Sequence, residues 1–320
     1  MFLRRLIVSQ RRHVFCAGVV LSASRFCSGC GTTSSRADSP PTSAVNVESF
    51  TLNEEVVKRD MEALAKWNDL SSRMDAYREE KQYGKILSAV DEGIAMLEEM
   101  GALSAPIQCE TLLLLEASQA HYNLQQYDLA LERAKKAKQT LMAAPEGMRD
   151  AAKLGETNQL IGYIHLKSGK LEEANSVFTD ILRWIDVDAR TATPMQAVAA
   201  VNMRRFIVTG IALCWHKVAE RECATGGDGR EMYGKALDLL LEALNTHIDE
   251  NDHEMVKMSL LSILQCFDGV GDGSQAVITA EKLVRWCSRH KDEQGIAEGN
   301  EWLTKMQEKY PQKKEEGDKV

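Results

Sequence analysis

KQYGKILSAVDEGIAML from Lys81, QQYDLALERAKKAKQTL from Gln125 and GKLEEANSVFTDILRWI from Gly169 are three versions of one segment. Tyr83, Tyr127 and Leu171 each open an apolar stripe of helical period, and they stand 44 residues apart. A fourth version, EMYGKALDLLLEALNTH, starts at Glu231 and places Tyr233 in the same position, 62 residues after Leu171. A longer preceding helix and the loop ATGGDGR (Ala224 to Arg230) absorb the difference. GDGSQAVITAEKLVRWC from Gly271 is a fifth. Self-similarity at such an interval is the mark of a repeat in which each unit is one supersecondary element.

The rest of the chain fits helical units. It is rich in Ala, Leu, Glu, Lys, Gln and Met, which lose little on entering a helix, and has only six prolines in 320 residues. The spacing predicts eleven helices, over about 53–80, 83–100, 106–124, 127–143, 147–168, 171–186, 194–222, 230–247, 252–268, 273–290 and 292–309. Pro106, Pro145 and Pro194 are placed at helix starts, where a missing N–H costs nothing. Ser104 and Thr193 precede two of them as caps. Gly101 and Gly169 are placed at stops, where a left-handed residue is needed. The connections are short, so consecutive helices lie antiparallel.

The small and bulky positions of these segments resemble the tetratricopeptide repeat. Ala130 and Ala137 match the two small positions of that family's second helix. Gly162, Gly169, Ala174 and Phe178 match the small residue, turn glycine, small residue and plug of the next repeat. Ala236, Ala243 and Ala276 recur in later copies, while Ile86 and Gly93 stand in the first. Helix axes about 8–10 Å apart leave no room for a branched chain at such crossings. The interval of 44 exceeds the family's usual 34, and the first helices lack its Trp. The resemblance covers most of 66–290 and implies an all-α fold, a right-handed superhelical solenoid of antiparallel helix pairs whose first helices line an inner face. It implies that Gln119, Tyr122 and Asn123, then Gln159, Tyr163 and Lys167, face a partner polypeptide there, with Leu112, Leu115 and Leu166 beside them. The other reading of Tyr122 and Tyr163 is that they fill space between repeats. The family's cationic clamp for a chaperone tail is not matched, because Leu112, Leu115, Gln119, Glu156 and Gln159 occupy the corresponding places.

The N-terminus has a different character. Residues 1–36 hold six arginines and no acid, and Phe2, Leu3, Leu6 and Ile7 share one helical face. That is the composition of a mitochondrial transit peptide. The rival is a secretory signal, using the short apolar stretch Val14 to Ala23, which is too short to span a bilayer. Residues 37–52, with Pro40-Pro41, read as a disordered linker, 53–309 as the repeat domain, and 310–320 as a disordered tail. Setting the leader aside leaves 33 of the 39 basic residues against all 47 acidic ones, a formal charge of −14. Such a chain repels a polyanion at long range, so direct nucleic-acid binding is disfavoured. Beyond the leader, Cys109, Cys214, Cys223, Cys266 and Cys287 are an odd, scattered set and not a disulfide framework.

No stretch supplies a chemical site. Cys27-Ser-Gly-Cys30 has no second ligand pair for zinc. Gly226-Gly227-Asp228-Gly229 lacks the strand and the Gly-Lys-Ser/Thr ending of a phosphate loop. In Asp268–Thr279, Val270 and Thr279 stand where a calcium loop needs oxygen ligands. After His253-Glu254, Lys257 occupies the place of the second zinc-binding His. His121 and His165 share one repeat position and read as packing residues. Lys135, Lys136 and Lys138, like Arg204 and Arg205, read as solvated helix faces. The expectation is a mitochondrial (matrix) protein without enzymatic activity, cofactor, metal or membrane span. It would act as a scaffold, assembly factor or peripheral subunit of a complex, with a component of an organellar RNA-processing or ribosome-associated complex as the alternative.

Overall fold

The computed structural model describes residues 54–100, 107–145, 150–187 and 194–311. The leader, the linker, nearly all of the C-terminal tail and the caps expected at Gly101, Ser104, Pro106 and Thr193 lie outside the described residues. Among the described residues every regular element is an α-helix. They are α1 (Glu54–Glu79), α2 (Tyr83–Met100), α3 (Ile107–Asn123), α4 (Tyr127–Ala143), α5 (Ala151–Lys167), α6 (Leu171–Val187), α7 (Pro194–Ala224), α8 (Arg230–Asp249), α9 (His253–Val270), α10 (Gly273–Arg289) and α11 (Glu293–Lys309). These agree with the expected elements to within two residues at nearly every end. The exception is α5, which starts at Ala151 because Asp150 caps it, its carboxylate accepting from the Lys153 N–H at 2.9 Å. Pro145 therefore follows the end of α4, and residues 146–149 lie outside the described residues.

One turn recurs. Lys81, Gln125, Gly169, Gly226, Asn251, Gly271 and Lys291 all have φ between 51° and 88°. In each turn the following N–H reaches back five residues, as from Gln82 to Tyr77, Gln126 to His121, Lys170 to His165 and Asp292 to Cys287. This is the Schellman arrangement, which satisfies carbonyls that the helix end would otherwise orphan. The residue two places beyond the left-handed one begins α2, α4 and α6, so Tyr83, Tyr127 and Leu171 occupy equivalent positions. In the last turns Asp252, Asp272 and Asp292 cap α9, α10 and α11 through their side chains.

The described residues fall into two compact units that part between Ala120 and His121. In the first, α1 and α2 with α3 up to Ala120 enclose Trp67, Leu70, Met74, Val90 and Leu113. A Cβ at Gly93 would lie 2.8 Å from side-chain carbons of both Leu70 and Leu113, which accounts for glycine where alanine was expected. Arg78 and Glu116, 9% and 2% exposed, are bonded at 2.5 Å inside this unit.

In the second unit, from His121 onward, the even-numbered helices bury one narrow stripe. Examples are Ala130, Ala134, Ala137 and Leu141 on α4, and Tyr233, Ala236, Leu240, Ala243 and His247 on α8. This is the spacing of one helical face. By contrast α5 is enclosed almost all round, because it packs against α4, α6 and α7. The expected plug, Phe178, is fully buried between two helices at their glycines. A Cβ at Gly162 would lie 2.5 Å from its ring, and one at Gly210 2.7 Å. The final helix buries Gly295, Gly299 and Met306 and exposes Glu293, Gln294, Glu298, Glu301, Lys305 and Glu308.

Candidate partner-binding face

The six expected contact residues fall into different environments. Gln119 lies in the first unit and is half-buried. The other five lie in the second. Tyr122 and Asn123 are half-buried, and Lys167, in the last turn of α5, is exposed. The ring of Tyr122 meets that of Tyr127 edge-on at 6.0 Å and packs against the cluster around Phe178. Burial raises its phenol above the usual tyrosine range.

Gln159 and Tyr163 point inward. Tyr163 is 5% exposed. Its hydroxyl donates to the carbonyl oxygen of Phe206 on α7 at 2.8 Å, and its ring meets Phe178 edge-on at 5.1 Å. Burial pushes its phenol well above the ordinary value. Gln159 has no exposed surface, and neither atom of its side-chain amide has a hydrogen-bond partner. Both are covered because α7 packs against α5. Of the five expected residues in the second unit, Lys167 and parts of Tyr122 and Asn123 reach the surface.

The segments that resembled chemical sites serve as turns and joints. Gly226 has φ 82° in the α7–α8 turn, and Gly229 precedes the first residue of α8. Gly271 and Asp272 form the α9–α10 turn. His253 and Lys257 share one oxygen of Asp292, at 3.0 and 2.7 Å, and so tie α9 to the start of α11. These bonds and that to the Gly295 N–H hold the Asp292 carboxyl below its usual range. His253 also stacks on His290 at 4.6 Å, and the ring of His290 lies tilted against Trp286 at 4.4 Å. His121 Nδ1 lies 2.7 Å from Gln126 Oε1. Among the described residues no group of three or more His, Cys, Asp or Glu side chains could hold a metal ion, and no helix is long and apolar enough to cross a membrane. The thiols of Cys109, Cys214 and Cys266 are buried and pushed up to about 12 by desolvation, which makes them poor nucleophiles.

A feature that sequence reasoning missed lies where α4, α5 and α6 meet. A cavity of about 280 Å³ opens there, walled by Leu154, Val177, Ile181 and Trp184. Lys138, Asn158 and Asp180 supply its polar lining. The helical spacing of apolar residues along α6 places Val177, Ile181 and Trp184 on one side, but only the packing shows that Ile181 is buried while Val177 and Trp184 remain partly uncovered.

No known family profile matches the chain, and no curated protein matches it. Solved structures do. A kinesin light chain protein of Podosopora anserina with TPR-like repeats has 12% identity and a TM-score of 0.45, over 70% of this chain and 96% of that one. BtubC of P. vanneervenii has 10% identity and a TM-score of 0.35, over 71% and 91%. Residues 1–338 of the assembly chaperone of RpL4 have 13% identity and a TM-score of 0.37, over 76% and 97%. The chain is similar to these in fold. Its class is that of all-α helical arrays, in which, within each unit, consecutive helices joined by short turns pack against one another.

Proposed function

We propose that the chain is a non-catalytic scaffold, assembly factor or peripheral subunit of a mitochondrial complex, and that it holds another polypeptide. The recurring hairpin is the observation on which this rests. In repeat arrays each unit contacts its neighbours, and successive helices present side chains along common faces, the means by which solenoids hold partners. The arginine-rich, acid-free leader supports the compartment. On α3 and α5 the contact residues are Tyr122, Asn123 and Lys167, with Gln119 a contact of the first unit. Gln159 and Tyr163 support that surface from beneath.

Tagged full-length protein, purified from isolated mitochondria with and without nuclease, tests the reading. The expected result is a reproducible set of co-purifying proteins that survives nuclease. Recovery of the chain alone, or its exclusion from mitochondria, overturns it. Loss of the whole set on nuclease treatment would favour the RNA-associated alternative.

A further inference from the structure

The cavity among α4, α5 and α6 combines apolar walls with an unequal polar lining. Asp180 faces Arg183, whose Nη1 lies 3.8 Å from its carboxylate. Lys138 is half-buried, and no ion pair or hydrogen bond engages it among the described residues. The amide of Asn158 is likewise half-buried and unengaged. The groups left over are thus a cation and an amide beside an indole and three aliphatic side chains. At about 280 Å³ the space lies just below the usual range for an entire small-molecule site. It suits a single anchoring side chain, the kind of contact that dominates protein interfaces. Behind it, a Cβ at Gly155 would come within 2.7 Å of the Met203 methyl group, the flexible end of a side chain on α7.

We infer that this cavity is an anchor site for a partner polypeptide that inserts one bulky apolar side chain and places an adjacent acidic side chain on Lys138. The inference rests on the scaffold reading and adds the chemistry of one contact. Leu154, Val177, Ile181 and Trp184 take the apolar group out of water. The ammonium of Lys138 donates to the carboxylate, while Asp180 lies in water beside Arg183, and Asn158 can donate to the backbone of the inserted segment. A basic neighbour in place of the acid meets an uncompensated lysine, so the site selects by charge as well as by shape.

The test uses the full-length chain labelled with 5-fluorotryptophan, with the Trp184 fluorine resonance assigned by Trp184→Phe. The probes are nine-residue glycine-serine peptides, acetylated and amidated at their ends, with Leu-Glu, Leu-Lys or Ala-Glu at the centre. A further peptide ends in Leu with a free carboxylate. The Leu-Glu peptide is expected to shift the Trp184 resonance saturably, with the Leu-Lys and Ala-Glu peptides about tenfold weaker or more. Lys138→Glu is expected to reverse the preference between Leu-Glu and Leu-Lys, and Lys138→Gln to abolish it. A Trp184 signal that no peptide moves, a response indifferent to Lys138, or one confined to the free carboxylate overturns the proposal. So does a resonance shielded from a soluble spin label in the free chain, since part of the chain itself would then fill the cavity. Partners recovered equally by native and Lys138→Glu chains, with Trp184 unmoved by peptides, would remove the anchor site and leave the scaffold standing. Recovery of no partner by the native chain would remove the scaffold reading itself.

Discussion

The hydroxyl of Tyr163 on α5 donates to the backbone oxygen of Phe206 on α7 at 2.8 Å, across 43 residues of sequence. This bond joins two helices that are not consecutive and settles where the tyrosine points. Tyr163→Phe keeps the ring against Phe178 and loses only the bond, so it is expected to cost about 1 kcal/mol. Tyr163→Ser empties a buried aromatic site and is expected to cost about 3–5 kcal/mol. Urea unfolding of both variants checks this. A serine variant as stable as the phenylalanine variant would mean that the ring is not enclosed.

Phe178 depends on two glycines rather than one. A methyl group at Gly162 or Gly210 would intrude on the ring, at 2.5 and 2.7 Å. Gly162→Ala and Gly210→Ala are each expected to destabilise by about 1–3 kcal/mol through overpacking. Phe178→Leu should partly relieve either change, because the intruding methyl then meets a smaller side chain. Thermal melts of the single and double variants decide the matter, and strict additivity would argue against the sandwich.

Arg78 and Glu116 are a buried ion pair in the first unit, with Asp75 also accepting from Arg78 at 2.5 Å. Removing Glu116 takes the more deeply buried carboxylate away from Arg78 and leaves the guanidinium to the half-exposed Asp75. Glu116→Ala is expected to cost about 3–5 kcal/mol, and the joint replacement Arg78→Met with Glu116→Leu much less. If the double variant proved less stable than Glu116→Ala, the desolvation argument would fail for this pair.

The helices were readable because their apolar residues recur with helical period and because Tyr83, Tyr127 and Leu171 mark a fixed interval. Gly169 was readable as a left-handed stop. Lys81 and Gln125, which adopt the same conformation, were not, since the Schellman bonds that hold them there leave no trace in residue type. Gln159 and Tyr163 were expected on a partner-facing surface and lie inside instead. Their cover is α7, a contact between alternate helices, and periodicity along α5 reports only that a residue is polar or aromatic, not which neighbour arrives. The same applies to Gly210, hidden in a helix buried on nearly every side, and to the cavity beside Trp184. A gap is a property of how three helices diverge, and no single stripe encodes it.

His247 closes the buried stripe of α8 with no exposed surface. Its Nε2 lies 3.1 Å from Thr209 Oγ1, whose own proton goes to the Arg205 carbonyl at 2.8 Å. The hydroxyl must therefore accept, which fixes the neutral imidazole with its proton on Nε2. Burial, reinforced by the charge of Arg205, pushes His247 down to about 4 from an ordinary value of 6.5. Above pH 6.5 the ring is neutral in folded and unfolded chains alike and adds no pH dependence. As the pH falls from 6.5 towards 4, the unfolded chain takes up a proton that the folded one refuses. Stability is lost over that window, on the order of 3 kcal/mol in all, and below it the loss levels off. His247→Gln keeps a donor for Thr209 and cannot titrate. Urea unfolding at pH 7.0, 5.5 and 4.5 should therefore show a shallower decline for the variant than for the native chain. Parallel declines would show that His247 is protonated in the folded state, and that its place at the end of the stripe is wetter than its burial implies.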